Sequence, residues 1–424
     1  MIGNDIIPIQ NLFNKYINVK DTFITFVSFQ IICQFIISMI NSNSLERMSI
    51  NNFFKTDNPC VYVESPGRIN LIGEHTDYNN GFVMPTAIDK KIYFELRKND
   101  SPAKCSIYSE TFDNLLNFDL QKVEKSSSTW ENYILGVVNE LQKAGKKLEG
   151  FDCYIKSELP IGAGISSSAA LECGLASGLN KLFDLNLSKL EIVNLSQAAE
   201  NNFVGSQCGI MDQYASVMSK KDHLILLDCL SLDAQFIPAN FKSCKVLLVN
   251  SKVSHSLAEG EYNTRRKECE SGLKIIQEKN KEVHTLRDVT LELLNSSKAQ
   301  LTAKQYNRVL YVLQENKRVL EAANFLKIGN LPAFGKLMYQ SHYGLRDLYE
   351  VSCKELDFLV KFSEKKDFIY GSRMMGGGFG GCTINLIEEA HIADFTEEVK
   401  IAYQNEFNLV PEMITVVPGE GTIV

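Results

Sequence analysis

Residues Leu159 to Leu171 read LPIGAGISSSAAL, and they say more about the fold than any other stretch of the chain. Gly162 and Gly164 precede three serines, and a helical pattern follows in which Leu171, Leu175, Leu179 and Leu182 share one face. Glycines lack a Cβ, so backbone N–H groups can approach an anion, serine hydroxyls add donors, and the following helix points its positive end at the loop. The stretch is expected to be a phosphate cradle carried on a helix that is anchored in a core. It has no GK[ST] ending, so it is not a Walker A loop, and cation and metal must come from elsewhere in the chain. A serine-rich turn that only caps a helix is the simpler alternative.

Upstream lies GRINLIGEHTDYNNG, Gly67 to Gly81, in which Arg68, Glu74, His75 and Asp77 crowd around a turn between apolar flanks. Carboxylates and an imidazole on a glycine-punctuated loop suit hydrogen bonding to several hydroxyls, as in a sugar. Downstream, Gln207 to Met218 reads QCGIMDQYASVM and sets Asp212 alone among apolar residues. Such a carboxylate is costly unless paired, so it is either a helix cap or a functional acid. A further cluster, GGGFGG from Gly376 to Gly381, satisfies GxGxxG, but a strand-like run, CTINLI, follows it where a dinucleotide fold needs a helix. A glycine-rich hairpin that closes over a ligand is expected there.

The chain has 424 residues, 45% hydrophobic and 22% charged, with a net charge of −7. That composition is globular, the length suggests about two or three domains, and the acidic balance argues against nucleic-acid binding. Eleven cysteines are odd in number, scattered and without a CxxC pair, which suits reduced thiols in a cytoplasmic protein. The six histidines form no HExxH, so no histidine-based metal site is expected. Thr22 to Ile40, TFITFVSFQIICQFIISMI, is about long enough to cross a bilayer. Gln30 and Gln34 near its middle, and flanks without a Lys/Arg cluster, argue against a membrane anchor. An extension on the surface, or a misplaced start with Met48 as the true one, is the plainer reading.

From about Leu45, β-branched runs alternate with helical patterns. Cys60 to Ser65, His223 to Asp228, Cys244 to Asn250 and Cys382 to Ile387 are read as strands. Leu257 to Lys279, Thr302 to Lys327, Leu331 to Leu348 and Glu389 to Asn405 carry apolar residues at helical spacing. A shift in composition near Pro238 to Lys242 marks the expected domain boundary. The division is then an extension over 1–44, an N-terminal domain over 45–238 and a C-terminal domain over 239–424.

In this order the four motifs resemble the GHMP family of small-molecule kinases, and within it the galactokinases. GRINLIGEHTDYNNG is similar to their sugar-binding signature, LPIGAGISSSAAL to the ATP-phosphate loop, CGIMDQ to the segment with the catalytic aspartate, and GSRMMGGGFGGCTI to the third glycine motif. The likeness runs from about Ser65 onward. It implies an α+β, two-domain GHMP kinase fold, with a mixed sheet and helices in each domain and the active site between them. It implies ATP-dependent phosphorylation of galactose at the C1 hydroxyl, with Mg2+; the oligomeric state stays open, with a monomer favoured. Asp212 would be the catalytic partner of that hydroxyl and Arg68 its electrostatic neighbour. Glu74, His75, Asp77, Gly209 and Tyr262 would join them around the sugar, with Tyr262 closing the pocket. Gly162, Gly164, Ser166, Ser167 and Ser168 would bind phosphates, Trp130 would pack on adenine, and Ser168 with Glu200 would hold Mg2+.

Two departures from the family pattern are Met375, where threonine is usual, and Asn201, where histidine is common. The first removes a hydroxyl near the nucleotide; the second reads as peripheral. N-acetylgalactosamine kinases and non-catalytic galactose sensors share the scaffold. The HTDYNNG loop argues against the former and the intact SSSAA against the latter.

Overall fold

A computed structural model describes residues 59–160, 162–254 and 258–424. The apolar stretch Thr22 to Ile40, and the segment Leu45 to Phe54 that the resemblance makes the equivalent of the family's first helix, lie outside the described residues. Among the described residues no helix is long and apolar enough to cross a membrane.

The first described strand is β1 (Val61–Asn70), whose β-branched start favours an extended backbone. A shift in register between Pro66 and Arg68 interrupts its antiparallel pairing with β3 (Pro85–Lys98). Pro66 has no N–H to give to a ladder, and the bulge re-aims Arg68. The short β2 (Phe82–Val83) lies between them in sequence. Next come β4 (Lys104–Ser109), β5 (Asn114–Asp119), α1 (Thr129–Lys143) and β6 (Phe151–Ser157). They complete a five-stranded sheet of order β1-β3-β6-β4-β5, which is mixed because β4 and β6 are parallel.

The serine motif opens α2 (Ser167–Leu182), which packs on β1 and β3. Gly174 permits this closeness, since a Cβ there would stand 2.2 Å from the Phe94 ring. Leu171, Leu175 and Leu179 are buried beneath it. Helices α3 (Lys189–Ala198) and α4 (Met211–Met218) follow, separated by a π-helical turn over Ala199–Val204. Strands β7 (His223–Asp228) and β8 (Ala234–Pro238) join β2 in a three-stranded sheet.

The remaining sheet belongs to the second half of the chain. β9 (Cys244–Ser254) lies between β11 (Gly380–Glu388) and β12 (Glu412–Val416), with β10 (Ile369–Met374) outside β11, all antiparallel. The GGGFGG segment is the turn of the β10–β11 hairpin. This half of the chain also holds α5 (Ala258–Lys279), α6 (Leu291–Ser296), α7 (Ala303–Lys327), α8 (Leu331–Gly344), α9 (Lys354–Glu364) and α10 (Ile392–Phe407), of which α8 and α9 pack on β10. The helix expected to reach Leu348 ends at Gly344, and a π-helical turn covers Leu345–Tyr349. The helix expected from Glu389 begins at Ile392, after a 3-10 turn.

The last residues return to the first sheet. Ile423 pairs with Glu64 and Pro418 with Ile88, and the Thr422 hydroxyl donates to the Ser216 carbonyl. One apolar core accordingly contains Val63 and Phe94 together with Ile384, Leu386 and Val416.

Candidate active site

The bulge in β1 sends the Arg68 side chain, 4% exposed, toward the first turn of α4. There its Nε donates to Asp212 Oδ1 and its Nη2 to Asp212 Oδ2, each at 2.7 Å, a two-pronged charge-assisted pair. Its Nη1 donates to the Gly164 carbonyl at 2.6 Å. Burial pulls the guanidinium down, but the carboxylates of Asp212 and Glu74 hold it above its ordinary range. Asp212, half-buried, is therefore paired, and it does not cap α4, whose N-cap position is Ile210.

A cavity of about 780 Å³ opens over this pair. On one side it is lined by Gly162, Gly164, Ser166, Ser167 and Ser168, ahead of the N-terminus of α2. A Cβ built on Gly162 meets no described atom within 4 Å, so the cradle is open there. Ser166 occupies the N-cap position in a left-handed conformation (φ 57°), yet its hydroxyl donates to Asp212 Oδ2 instead of capping the helix. The first amides of α2 thus stay available to an anion. Met375, 1% exposed, sends its side chain into the core, while its carbonyl oxygen lies 3.4 Å from where a Gly164 Cβ would stand.

On the other side lie Glu74, His75, Asp77 and Tyr262. Glu74 is 1% exposed, and its Oε1 accepts from Arg373 Nη1 and Nη2 at 3.1 Å and from the Gly376 amide at 2.8 Å. Arg373, wholly buried on β10, also donates to the Leu71 and Asn70 carbonyls and so clamps the Gly67 to Gly81 segment onto the glycine hairpin. His75 Nδ1 bonds the Tyr78 hydroxyl at 2.8 Å, and its Nε2 faces the Gly377 carbonyl at 3.3 Å. Burial pulls its pKa down to about 3, so the ring is neutral. Tyr262 lies 5.3 Å from the His75 ring and 5.3 Å from that of Tyr78.

Asp77 has a different environment. Burial, and after it the like charge of Asp212, push its carboxyl up to about 7. Gly209 lies against it, since a Cβ there would fall 2.1 Å from Asp77 Oδ2. The segment carrying Gly209 is tied by Asn201, whose Nδ2 donates to the Cys208 carbonyl at 3.3 Å. Gln197 Nε2 donates to the same carbonyl at 3.3 Å.

Beneath the serines, the Ser168 hydroxyl meets Glu200 on the π-helical turn. Burial, then the charge of Asp212, push Glu200 up to about 7. Gln213 Nε2 donates to Glu200 Oε2 at 2.7 Å and reaches Glu172 Oε2 at 3.3 Å. Glu172 is fully buried, and its Oε1 has no partner among the described residues. At the far end of the cavity Trp130 stacks on Phe112 at 5.4 Å and 13°.

All the residues singled out in the sequence meet in or beside this one cavity. Arg373, Gln213 and Glu172 were not singled out. The signal for Arg373 was available as a lone cation in the run before the glycines; for Glu172 and Gln213 it was acidic and amide side chains on helix faces that are otherwise apolar.

Three family descriptions match: the galactokinase galactose-binding signature over 51–98, the GHMP kinase N-terminal domain over 132–220 and the GHMP kinase C-terminal domain over 321–405. A mevalonate kinase crystal structure, 21% identical with a TM-score of 0.58, has the same fold over 85% of this chain and 99% of that one. Fold and site together are those of a GHMP small-molecule kinase. The chain is 44% identical to a galactokinase of Thermosipho africanus, over 85% of this chain and 98% of that one. It is 41% identical to one of Thermotoga maritima, over 82% and 95%. The crystal structure of Lactococcus lactis galactokinase complexed with galactose superposes with a TM-score of 0.87 at 33% identity, over 90% of this chain and 99% of that one. The chain belongs to the galactokinase family.

Proposed function

We propose that this cavity transfers the terminal phosphoryl group of ATP to the C1 hydroxyl of galactose, giving galactose 1-phosphate and ADP. The observation that carries the reading is the position of Asp212, forked by Arg68 between an open helix N-terminus and a pocket of buried carboxyl groups. Asp77 and Glu74 accept hydrogen bonds from sugar hydroxyls, and neutral His75 and Tyr262 form the wall against which the ring lies. Asp212 accepts the proton of the C1 hydroxyl as its oxygen bonds phosphorus and the bond to ADP breaks. Three of the five Arg68 N–H donors go to Asp212 and Gly164, so it fixes the placement of the carboxylate, and its charge lends a field to the phosphoryl group. The amides of α2 and the serines receive the phosphates, and Trp130 takes the adenine.

Ser168 and Glu200 fit a Mg2+ ion. They offer hard oxygen donors, and Glu200 is buried beside the acidic Glu172 and Asp212 with its carboxyl pushed up to about 7. Among the described residues no group of three or more His, Cys, Asp or Glu makes a metal cluster, and magnesium is commonly held by one or two carboxylates plus substrate phosphates. When bound it supplies charge neutralisation between the phosphates.

We place the division between lobes in the segment joining β8 to β9, near Pro238 to Lys242. A cytoplasmic location is supported by the ten cysteines among the described residues, all of them free. ADP release measured with galactose, glucose, N-acetylgalactosamine and no sugar tests the activity. Release with galactose well above the others is expected, and equal release in all four would refute it.

A further inference from the structure

The phosphate loop and the catalytic pair are one hydrogen-bonded unit. The Arg68 amide donates to the Ile165 carbonyl at 2.9 Å, Arg68 Nη1 donates to the Gly164 carbonyl at 2.6 Å, and the Ser166 hydroxyl donates to Asp212 Oδ2. That third bond is unexpected. A serine at a helix N-cap normally turns its oxygen onto the amides of the first turn, and here the side chain turns the other way. Its backbone is also in the left-handed region, which residues with a Cβ adopt rarely and chiefly where the surroundings enforce it.

Counting acceptors gives the consequence. A carboxylate oxygen has two lone-pair sites. Asp212 Oδ2 receives Arg68 Nη2 and the Ser166 hydroxyl, so it is saturated; among the described residues Oδ1 receives Arg68 Nε alone. In phosphoryl transfer the accepting sugar oxygen must lie between the carboxylate and the phosphate bound by the loop. The carboxylate oxygen on the loop side is the one that Ser166 covers.

We propose that Ser166 is a positioning residue shared by the two substrate sites: its hydroxyl caps Asp212 Oδ2 in the ligand-free enzyme and leaves it for a phosphate oxygen when nucleotide binds, which exposes Oδ2 to the sugar hydroxyl. Nucleotide thereby tightens galactose, and by thermodynamic reciprocity galactose tightens nucleotide by the same factor. The inference rests on the galactokinase reading given above.

The test is calorimetric titration of galactose into the full chain, with and without the β,γ-imido analogue of ATP and Mg2+. In the unaltered protein the analogue should tighten galactose by about five- to fiftyfold, within the usual range of coupling between sites. Ser166→Ala and Ser166→Gly should both bind galactose without nucleotide as tightly as the unaltered protein does with it. The variants also separate hydroxyl from backbone, since glycine accepts the left-handed conformation more readily than alanine does. Like behaviour of the two supports the hydroxyl. An alanine variant that is weakened beside a glycine variant that behaves as the parent would assign the effect to the backbone and overturn the proposal. So would nucleotide-free galactose affinity that is unchanged or weaker in both variants, or a parent protein in which the analogue has no effect. Failure of the parent to bind galactose at all would instead remove the functional reading beneath it.

Discussion

The loop from Gly73 to Gly81 and the loop from Pro160 to Ser166 border the same cavity, but they are held in different ways. The first is fastened throughout: the Gly73 amide donates to Glu315, the Thr76 hydroxyl to the Gly73 and Phe82 carbonyls, Asn79 to the His75 carbonyl, and Arg373 reaches in from β10. The second is fastened at its end, through Gly164, Ile165 and Ser166, and is open around Gly162. A site that must tell one sugar hydroxyl from another needs acceptors fixed to within fractions of an ångström. A site that must receive a polyanion needs amides and space. Asp212 stands where the two meet.

Breaking that junction should have the largest effect. Asp212→Ala removes the group proposed to act on the reacting hydroxyl, and turnover in an ADP-release assay should fall by about two to four orders of magnitude. Galactose should still bind by calorimetry, and a variant that kept more than half the rate would show that the junction is elsewhere.

Unfastening the sugar loop comes next. Arg373→Leu leaves Glu74 buried without its cation, and denaturant unfolding should show a loss of about 3–5 kcal/mol. A loss below about 1 kcal/mol would mean that the loop is held mainly by its other bonds.

Asp77 sharpens the comparison through pH. Its folded-state pKa is raised, so the folded protein keeps a proton that the unfolded chain gives up above its ordinary range. The associated stability is full below that range and is lost as pH rises through about 7. The melting temperature of the ligand-free protein should fall between about pH 4 and about pH 8, and Asp77→Asn should flatten that fall. Because sugar hydroxyls are donated to the ionised form, galactose should bind less well on the acid side. The same variant should lower the preference for galactose over glucose by about tenfold to a hundredfold. An unaltered preference would move the selectivity to Tyr262 or to the backbone at Gly209.

The smallest effect is expected on the nucleotide side. Trp130→Ala should raise KM for ATP by about three- to tenfold and leave KM for galactose unmoved. Equal changes in both would mean that Trp130 supports the whole cavity and is not an adenine platform.

What the sequence showed and what it hid follow the same division. Glycines, serines and charges close together in the chain announced the phosphate loop, the sugar loop and the hairpin, because each of these is built by its own neighbours. The contacts that fix their geometry come from far away in sequence. Glu74 meets Arg373 across 299 positions, and Ser166 meets Asp212 across 46. Asp77 needs a glycine at 209 because the backbone passes over its carboxyl, which no local pattern encodes. Asn201 was read as peripheral for the same reason. It bonds the Cys208 carbonyl, and the spacing of those residues does not show that contact.

The return of Pro418 to Ile423 onto the first sheet has a consequence for biosynthesis. Glu64 exchanges both backbone hydrogen bonds with Ile423, and Ser65 bonds Thr422 across 357 positions. At about 5–20 residues per second a ribosome needs roughly 20 to 70 s to make the intervening chain. Throughout that interval this part of β1 lacks its eventual partner, and unpaired strand edges are templates for misassociation. A nascent chain halted before Pro418 should therefore be a client of chaperones even though every catalytic group has already been synthesised.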